Sequence, residues 1–261
     1  MKVALVTGGT SGIGLATAQA LHDAGCRVYT CARRETCGGA WTHFSCDVTR
    51  QEQVRDMVER IMAREGKIDL AVNAAGFGIS GAVEYTETEA ARRLMDVNFF
   101  GMVTVNRELL PIFHRQGFGR IVNISSVASP VAIPFQTFYS ASKAAIDAYT
   151  RALATEVRPY GITVCAVQPG DIATGFTAAR EKSELGDDAY GGRISRSVSV
   201  MERDERGGMR PELAGKAIAA IALKKRVKPI YVIGLKYKLA AALVKLLPLR
   251  WVDAIVGKIY G

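Results

Sequence analysis

The sequence predicts one α/β domain on a doubly wound, seven-stranded parallel sheet, in three αβα layers. Three observations lead there. Apolar runs of strand length alternate with helical patterns along most of the chain, and glycine and proline punctuate the junctions. The 261 residues also suit one large domain better than two small ones. A chain of that length buries roughly three quarters of its unfolded surface, so a core alone can hold it.

The strand-like runs fall at residues 2–7, 27–32, 42–46, 68–73, 120–125, 163–168 and 229–233. Between them lie helical patterns with local signals of their own. Thr49-Arg50-Gln51-Glu52 and Thr86-Glu87-Thr88-Glu89 have capping-box spacing. Gly25 and Gly161 sit where helices should end, and Pro211 fits the first position of a helix ending near Leu223. Two stretches break the alternation. Residues 171–210 are long and rich in glycine, serine and charge, as a lid over a site would be. Residues 235–261 continue past the last strand as an amphipathic C-terminal extension.

The cysteines, Cys26, Cys31, Cys37, Cys46 and Cys165, are odd in number and contain no C-x-x-C pair. They are expected as small buried hydrophobes in a reducing, cytoplasmic compartment, not as disulfides or metal ligands. The chain opens at once on a strand-like run, so no signal peptide is expected. No stretch reaches the ~20 apolar residues of a membrane span. His22, His43 and His114 lack ligand spacing, and no metal is expected. The net charge of +9 is localised: residues 1–212 balance 24 basic against 24 acidic residues, whereas residues 213–261 hold ten basic residues and only Asp253.

The first strand runs into Thr7-Gly8-Gly9-Thr10-Ser11-Gly12-Ile13-Gly14 and then an apolar-periodic helix. Glycines there let backbone approach a diphosphate, which the N–H groups and positive end of the helix would hold. The second strand ends at Ala32, and Arg33 and Arg34 follow. An NAD site needs an acid there for the ribose 2′-hydroxyl, whereas two guanidiniums suit a 2′-phosphate, so NADP(H) is the expected cofactor. Glu35 is the complication.

The spacing T-G-x-x-x-G-x-G resembles the short-chain dehydrogenase/reductase family, and further landmarks follow in register. They are Asp47-Val48, Asn73-Ala74-Ala75-Gly76, Asn98, Ser126, Tyr139 with Lys143, and Pro169-Gly170-Asp171-Ile172-Ala173-Thr174. Together they cover residues 3 to about 176. Ala74 departs from the family's Asn-Asn-Ala-Gly and puts one side-chain brace of the central strand in doubt.

The resemblance implies a Rossmann-like sheet in the order 3-2-1-4-5-6-7. Residues 1–234 form the dinucleotide-binding domain, with 171–210 as its substrate loop. It implies a cofactor site including Gly8, Thr10, Ser11, Gly12, Ile13, Gly14, Arg33, Arg34, Asp47, Val48, Asn73, Gly76, Pro169 and Gly170. Ile172 and Thr174 would take the nicotinamide carboxamide.

Four residues would carry the chemistry. Tyr139 and Lys143 are four apart on a helix predicted from residue 138 to about 160, so they share a face. A phenol of pKa near 10 is a poor base at neutral pH, and the neighbouring ammonium is expected to lower it. By resemblance Lys143 also holds the nicotinamide ribose, Ser126 holds the substrate oxygen, and Asn98 holds a water that relays protons to Lys143. Ser125 is the neighbour most easily confused with Ser126, and the spacing of 13 residues to Tyr139 favours Ser126.

The expected reaction interconverts a ketone and a secondary alcohol by hydride transfer. Apolar residues around the predicted site, Val131, Ile133, Pro134, Phe135 and Phe138, suggest a lipophilic substrate, steroid-like or a long-chain lipid. Small polar ketones or sugars are the alternative, as is an NADP(H)-sensing regulator without turnover. The family implies a homodimer or homotetramer. For the basic, aromatic-bearing tail two readings stand open: peripheral association with an anionic membrane surface, and packing across the domain's own pocket or against a second subunit. Nucleic-acid binding is a poor fit, because the tail's charge is paired with a large apolar stripe.

Overall fold

The computed structural model describes residues 1–35 and 39–261, so Cys37 lies outside the described residues. The main sheet has seven strands. They are β1 (Val3–Thr7), β2 (Arg27–Ala32), β3 (Thr42–Ser45), β4 (Leu70–Asn73), β6 (Gly119–Ile124), β7 (Ile162–Pro169) and β9 (Ile230–Ile233). Their order is β3-β2-β1-β4-β6-β7-β9, and every pairing is parallel. This is the doubly wound order expected. A parallel sheet covered on both faces needs strands apolar on both sides, and all five residues of β1 are buried.

Helices form the two outer layers. α1 (Gly12–Asp23) and α8 (Pro211–Ala222) cover one face, where Ala18, Leu21, Ala214 and Ile218 meet Ala4, Val6, Val72 and Val167. α2 (Gln51–Glu65), α4 (Gly101–Gln116) and α5 (Thr137–Val157) cover the other, with Val54, Ile61, Leu109, Phe113 and Leu153 packed on Leu5, Ala71 and Ile121. The apolar positions of α2 at 54, 57, 58 and 61 are the 3.6-residue periodicity of a half-buried helix. Cys26, Cys31, Cys46 and Cys165 are unpaired and buried.

Because β1 pairs with both β2 and β4, the winding reverses there and leaves a crevice at the carboxyl ends of the strands. Thr7 holds the crevice together: its Oγ1 accepts from the backbone N–H groups of Ala74 and Ala75, each at 3.1 Å.

Three expectations are corrected. Neither capping box forms: Thr49 donates to Asp47 Oδ1, and Thr86 to the carbonyl of Ala82. Arg50 and Glu87 stand at the N-caps without a side-chain cap bond. Residues 171–210 are not a long irregular loop. They contain α6 (Phe176–Ala179), α7 (Arg193–Arg206) and a two-residue strand, β8 (Glu181–Lys182). β8 pairs in parallel with β5 (Ile79–Ser80), and a bridge between Ile172 and Met209 closes the segment at its base.

Finally, α3 (Thr88–Met95) leads through one π-helical turn into α4, and α9 (Leu235–Val244) and α10 (Leu249–Tyr260) follow β9. The tail packs on its own chain: Val252 and Val256 are buried, and α10 lies against α7.

Candidate active site

A cleft of about 610 Å³ opens at the crevice. One end is walled by Gly8, Thr10, Ser11, Gly12, Ile13 and Gly14, with Arg33, Arg34, Asp47 and Val48 beside them. Gly14 has to be glycine: a Cβ there would lie 2.2 Å from the carbonyl oxygen of Gly8, which itself has a left-handed φ of 68°. Ser11, the N-cap of α1, makes no side-chain cap bond, so the first N–H groups of the helix keep their donor capacity toward the cleft. Arg33 and Arg34 are exposed, and among the described residues neither guanidinium has an ion-pair partner. A tight backbone cradle, a free helix N-terminus and two uncommitted guanidiniums together fit a phosphorylated dinucleotide.

Gly76, Ser126, Tyr139, Lys143, Pro169, Gly170, Ile172 and Thr174 line the rest of the same cleft. α5 places Tyr139 and Lys143 on one side, with the Lys143 Nζ 5.5 Å from the centre of the Tyr139 ring. Ser126 is near enough to favour the phenolate of Tyr139, and its Oγ accepts from the N–H of Ala128 at 3.1 Å. Ser125 is spoken for elsewhere, donating at 3.1 Å to the carbonyl of Lys143. Lys143 is buried, and its Nζ donates to the carbonyl of Ile124 at 3.0 Å.

The electrostatics differ from the expected tuning. Burial pushes the Tyr139 phenol up to about 12, helped by Glu205 and Asp171, while Ser126 and Arg180 act the other way. Burial also pulls the Lys143 ammonium down to about 8, with Asp147 partly restoring it. The expected depression of the phenol by Lys143 is therefore absent from the free protein, because desolvation dominates both groups.

Two predicted residues stand off the cleft wall. Asn73 turns into the core, where its Nδ2 donates to Asn106 Oδ1 at 2.8 Å and Asn123 Oδ1 at 2.9 Å. Asn123 in turn donates to Thr150 Oγ1 at 2.9 Å. This network ties β4 and β6 to α4 and α5, and it supplies side-chain bracing despite Ala74. Asn98 is buried in the π-helical turn; its Oδ1 accepts from Phe77 N at 2.9 Å, and its Nδ2 donates to Phe77 O and Ser142 Oγ. Its amide fixes the segment next to Gly76 and leaves no side-chain donor facing the cleft.

The apolar wall also differs from the expected one. Ile133 lines the cleft, whereas Phe135 is buried in a separate cluster with Ala82 and Ile194. Phe77, Val97, Phe176 and Met201 supply the remainder, and the Phe176 ring lies 5.7 Å from that of Tyr139. Sequence reasoning also missed the polar groups at this end. Glu205 faces the cleft and is held by buried Arg180 and by Thr177, which donates at 2.6 Å. Tyr260, the last residue of α10, reaches the cleft wall, and burial with Asp171 and Asp204 pushes its phenol up to about 12. Asp171 accepts from Tyr237 on α9. No motif marked Glu205, Arg180 or Tyr237; Asp171 lay in the Pro169–Thr174 motif and Tyr260 in the tail, and the fold brings them together.

Comparison with known proteins agrees with this geometry. The family model for short chain dehydrogenase matches residues 2–185. A 3-ketodihydrosphingosine reductase of Bacteroides thetaiotaomicron is 41% identical over 227 residues, 86% of this chain and 84% of that one. VdlC of Helicobacter pylori, a probable short-chain type dehydrogenase/reductase, is 32% identical over 259 residues, 97% of this chain and 96% of its own. Among solved structures, a short-chain dehydrogenase from Streptomyces avermitilis matches with a TM-score of 0.81 at 31% identity, covering 98% of this chain and 97% of that one. The chain therefore belongs to the short-chain dehydrogenase/reductase family, oxidoreductases that use NAD(P)(H) on carbonyl and alcohol groups.

Proposed function

We propose that the protein is an NADP(H)-dependent reductase of lipophilic ketones, with Tyr139 as the proton donor. The observation that carries this reading is one cleft holding Ser126, Tyr139 and Lys143 together with Arg33 and Arg34. When bound, the cofactor supplies hydride from C4 of its nicotinamide. Gly8 to Gly14 and the α1 N-terminus would hold its diphosphate, Arg33 and Arg34 its 2′-phosphate, and Ile172 with Thr174 its carboxamide.

The chain's own residues do the rest. Ser126 and Tyr139 would both hydrogen-bond the substrate oxygen, which fixes the carbonyl and stabilises the charge it gains. A phenol held near 12 is protonated at neutral pH and is a donor in place. Lys143 would hold the ribose and return a proton to Tyr139. The apolar wall of Ile133, Phe77, Val97, Phe176 and Met201 suits a hydrocarbon. The relative named for reducing 3-ketodihydrosphingosine, a long-chain ketone, supports the same class. A homodimer or homotetramer in the cytoplasm, with peripheral contact to membranes, completes the proposal.

The test is NADPH consumption against 3-ketodihydrosphingosine, steroid ketones and sugars. Lipid ketones are expected to be reduced, and Tyr139→Phe to lower the rate by roughly 10²–10⁴-fold while NADPH still binds. Absence of ketone-dependent turnover, or an undiminished Tyr139→Phe enzyme, refutes the reading.

A further inference from the structure

α10 carries two neighbouring stripes at four-residue spacing. Val252, Val256 and Tyr260 turn inward, the first two buried and the third in the cleft wall. One position back, Trp251, Ile255 and Ile259 turn outward and are 54%, 47% and 50% exposed. On α9, Leu235, Leu239 and Leu243 are likewise exposed, and Leu246 and Leu249 flank the turn at Pro248, all more than half exposed. Large apolar side chains grouped in this way mark a surface that something covers.

The charge on the same two helices identifies the occupant. Residues 235–261 hold Lys236, Lys238, Lys245, Arg250 and Lys258 against Asp253 alone, and all five basic residues are exposed. A second copy seated on this face would bring five like charges against five more. An anionic lipid surface would take both properties at once, the leucines and tryptophan in the acyl boundary and the basic groups among the headgroups. No helix among the described residues is long and apolar enough to cross a membrane, so the contact is interfacial.

We infer that α9 and α10 form a docking face for the surface of an anionic bilayer, and that it seats the cleft beside the lipid. The outer stripe ends at Ile259, next to Tyr260 of the cleft wall. On α9, Tyr237 bonds Asp171 of the nicotinamide-side element. α10 thus borders the cleft directly and α9 through Asp171, while both would face the lipid. The purpose of docking, access to a membrane-dissolved ketone, rests on the proposed function; the docking itself rests only on this surface.

The full-length protein is sedimented with phosphatidylcholine vesicles, with and without phosphatidylglycerol, in the absence of nucleotide and ketone. It is expected to pellet with the anionic vesicles only, and less at high salt. In a Trp41→Phe background, Trp251 emission should shift to the blue and be quenched by brominated lipid. Leu243→Glu with Ile255→Glu should abolish pelleting while the thermal unfolding curve stays in place. Each lysine changed to serine should weaken partitioning on the order of fivefold.

Wild-type protein left in the supernatant at low salt overturns the inference. So does a concentration-dependent dimer that shields Trp251 without lipid and is broken by the same pair of substitutions. Pelleting without ketone turnover would sink the proposed function and leave docking intact; turnover without pelleting would do the reverse.

Discussion

Lys143→Met is expected to stabilise the free protein while destroying its activity. The Lys143 side chain sits in the core with its ammonium lowered from an ordinary 10.5 to about 8. At about 1.4 kcal/mol for each tenfold, that gap amounts to roughly 3 kcal/mol against the folded state at neutral pH. Methionine keeps the apolar stem but gives up the 3.0 Å bond to the carbonyl of Ile124, a loss of about 1 kcal/mol. The net gain is about 2 kcal/mol, or about 4 °C in Tm for a chain of this size.

The sign fixes the pH dependence. Below about 8 both folded and unfolded states carry the ammonium, and the folded state bears the whole desolvation cost. Between about 8 and 10.5 the folded state has shed the proton and the unfolded state has not, so wild-type stability from this group rises with pH. The advantage of Lys143→Met should therefore be flat around pH 7 and shrink toward pH 10. Urea unfolding midpoints of both proteins across that range are the assay. A destabilised variant at pH 7, or a difference independent of pH, would refute the burial account of Lys143.

Three further outcomes are expected. Gly14→Ala forces its Cβ toward the Gly8 carbonyl and should cost about 1–3 kcal/mol in urea unfolding, with loss of nucleotide binding by titration calorimetry. Arg33→Ser with Arg34→Ser should raise the Kd for NADPH on the order of 10–100-fold and leave NADH unchanged; equal loss for both cofactors would remove the arginines from cofactor choice. Asp147→Asn takes away the carboxylate that sustains the Lys143 charge, so the alkaline limb of the kcat/KM profile should move to lower pH.

The sheet and the nucleotide turn were legible because their cause is local. A strand buried on both faces must be an unbroken apolar run, and Val3 to Val6 is one. A turn in which Gly14 touches the Gly8 carbonyl must lack a side chain, and the sequence carries that requirement openly. The capping boxes misled because their spacing does not reveal that Asp47 and Ala82 compete for the two threonines. Asn73 and Asn98 read as site residues by register, yet strand alternation and the π-helical turn aim their amides at core partners. Glu205, Arg180 and Tyr237 were invisible for another reason. Their placement depends on α10 lying against α7 and on Tyr237 of α9 reaching Asp171, long-range packing that leaves no short pattern.

On the proposed function, the proton affinities of Tyr139 and Lys143 bear on how the phenol would be reprotonated. In water a lysine at about 10.4 holds its proton slightly more tightly than a tyrosine at about 10, so transfer from ammonium to phenolate is a little uphill. In the cleft the order is reversed and widened, with Tyr139 near 12 and Lys143 near 8. In the proposed mechanism, where Tyr139 gives its proton to a carbonyl oxygen, refilling from Lys143 would therefore be downhill. Lys143, with the lower affinity, then recovers a proton from solvent at neutral pH. The same burial that costs the fold stability at Lys143 would thus ease the return of a proton to Tyr139.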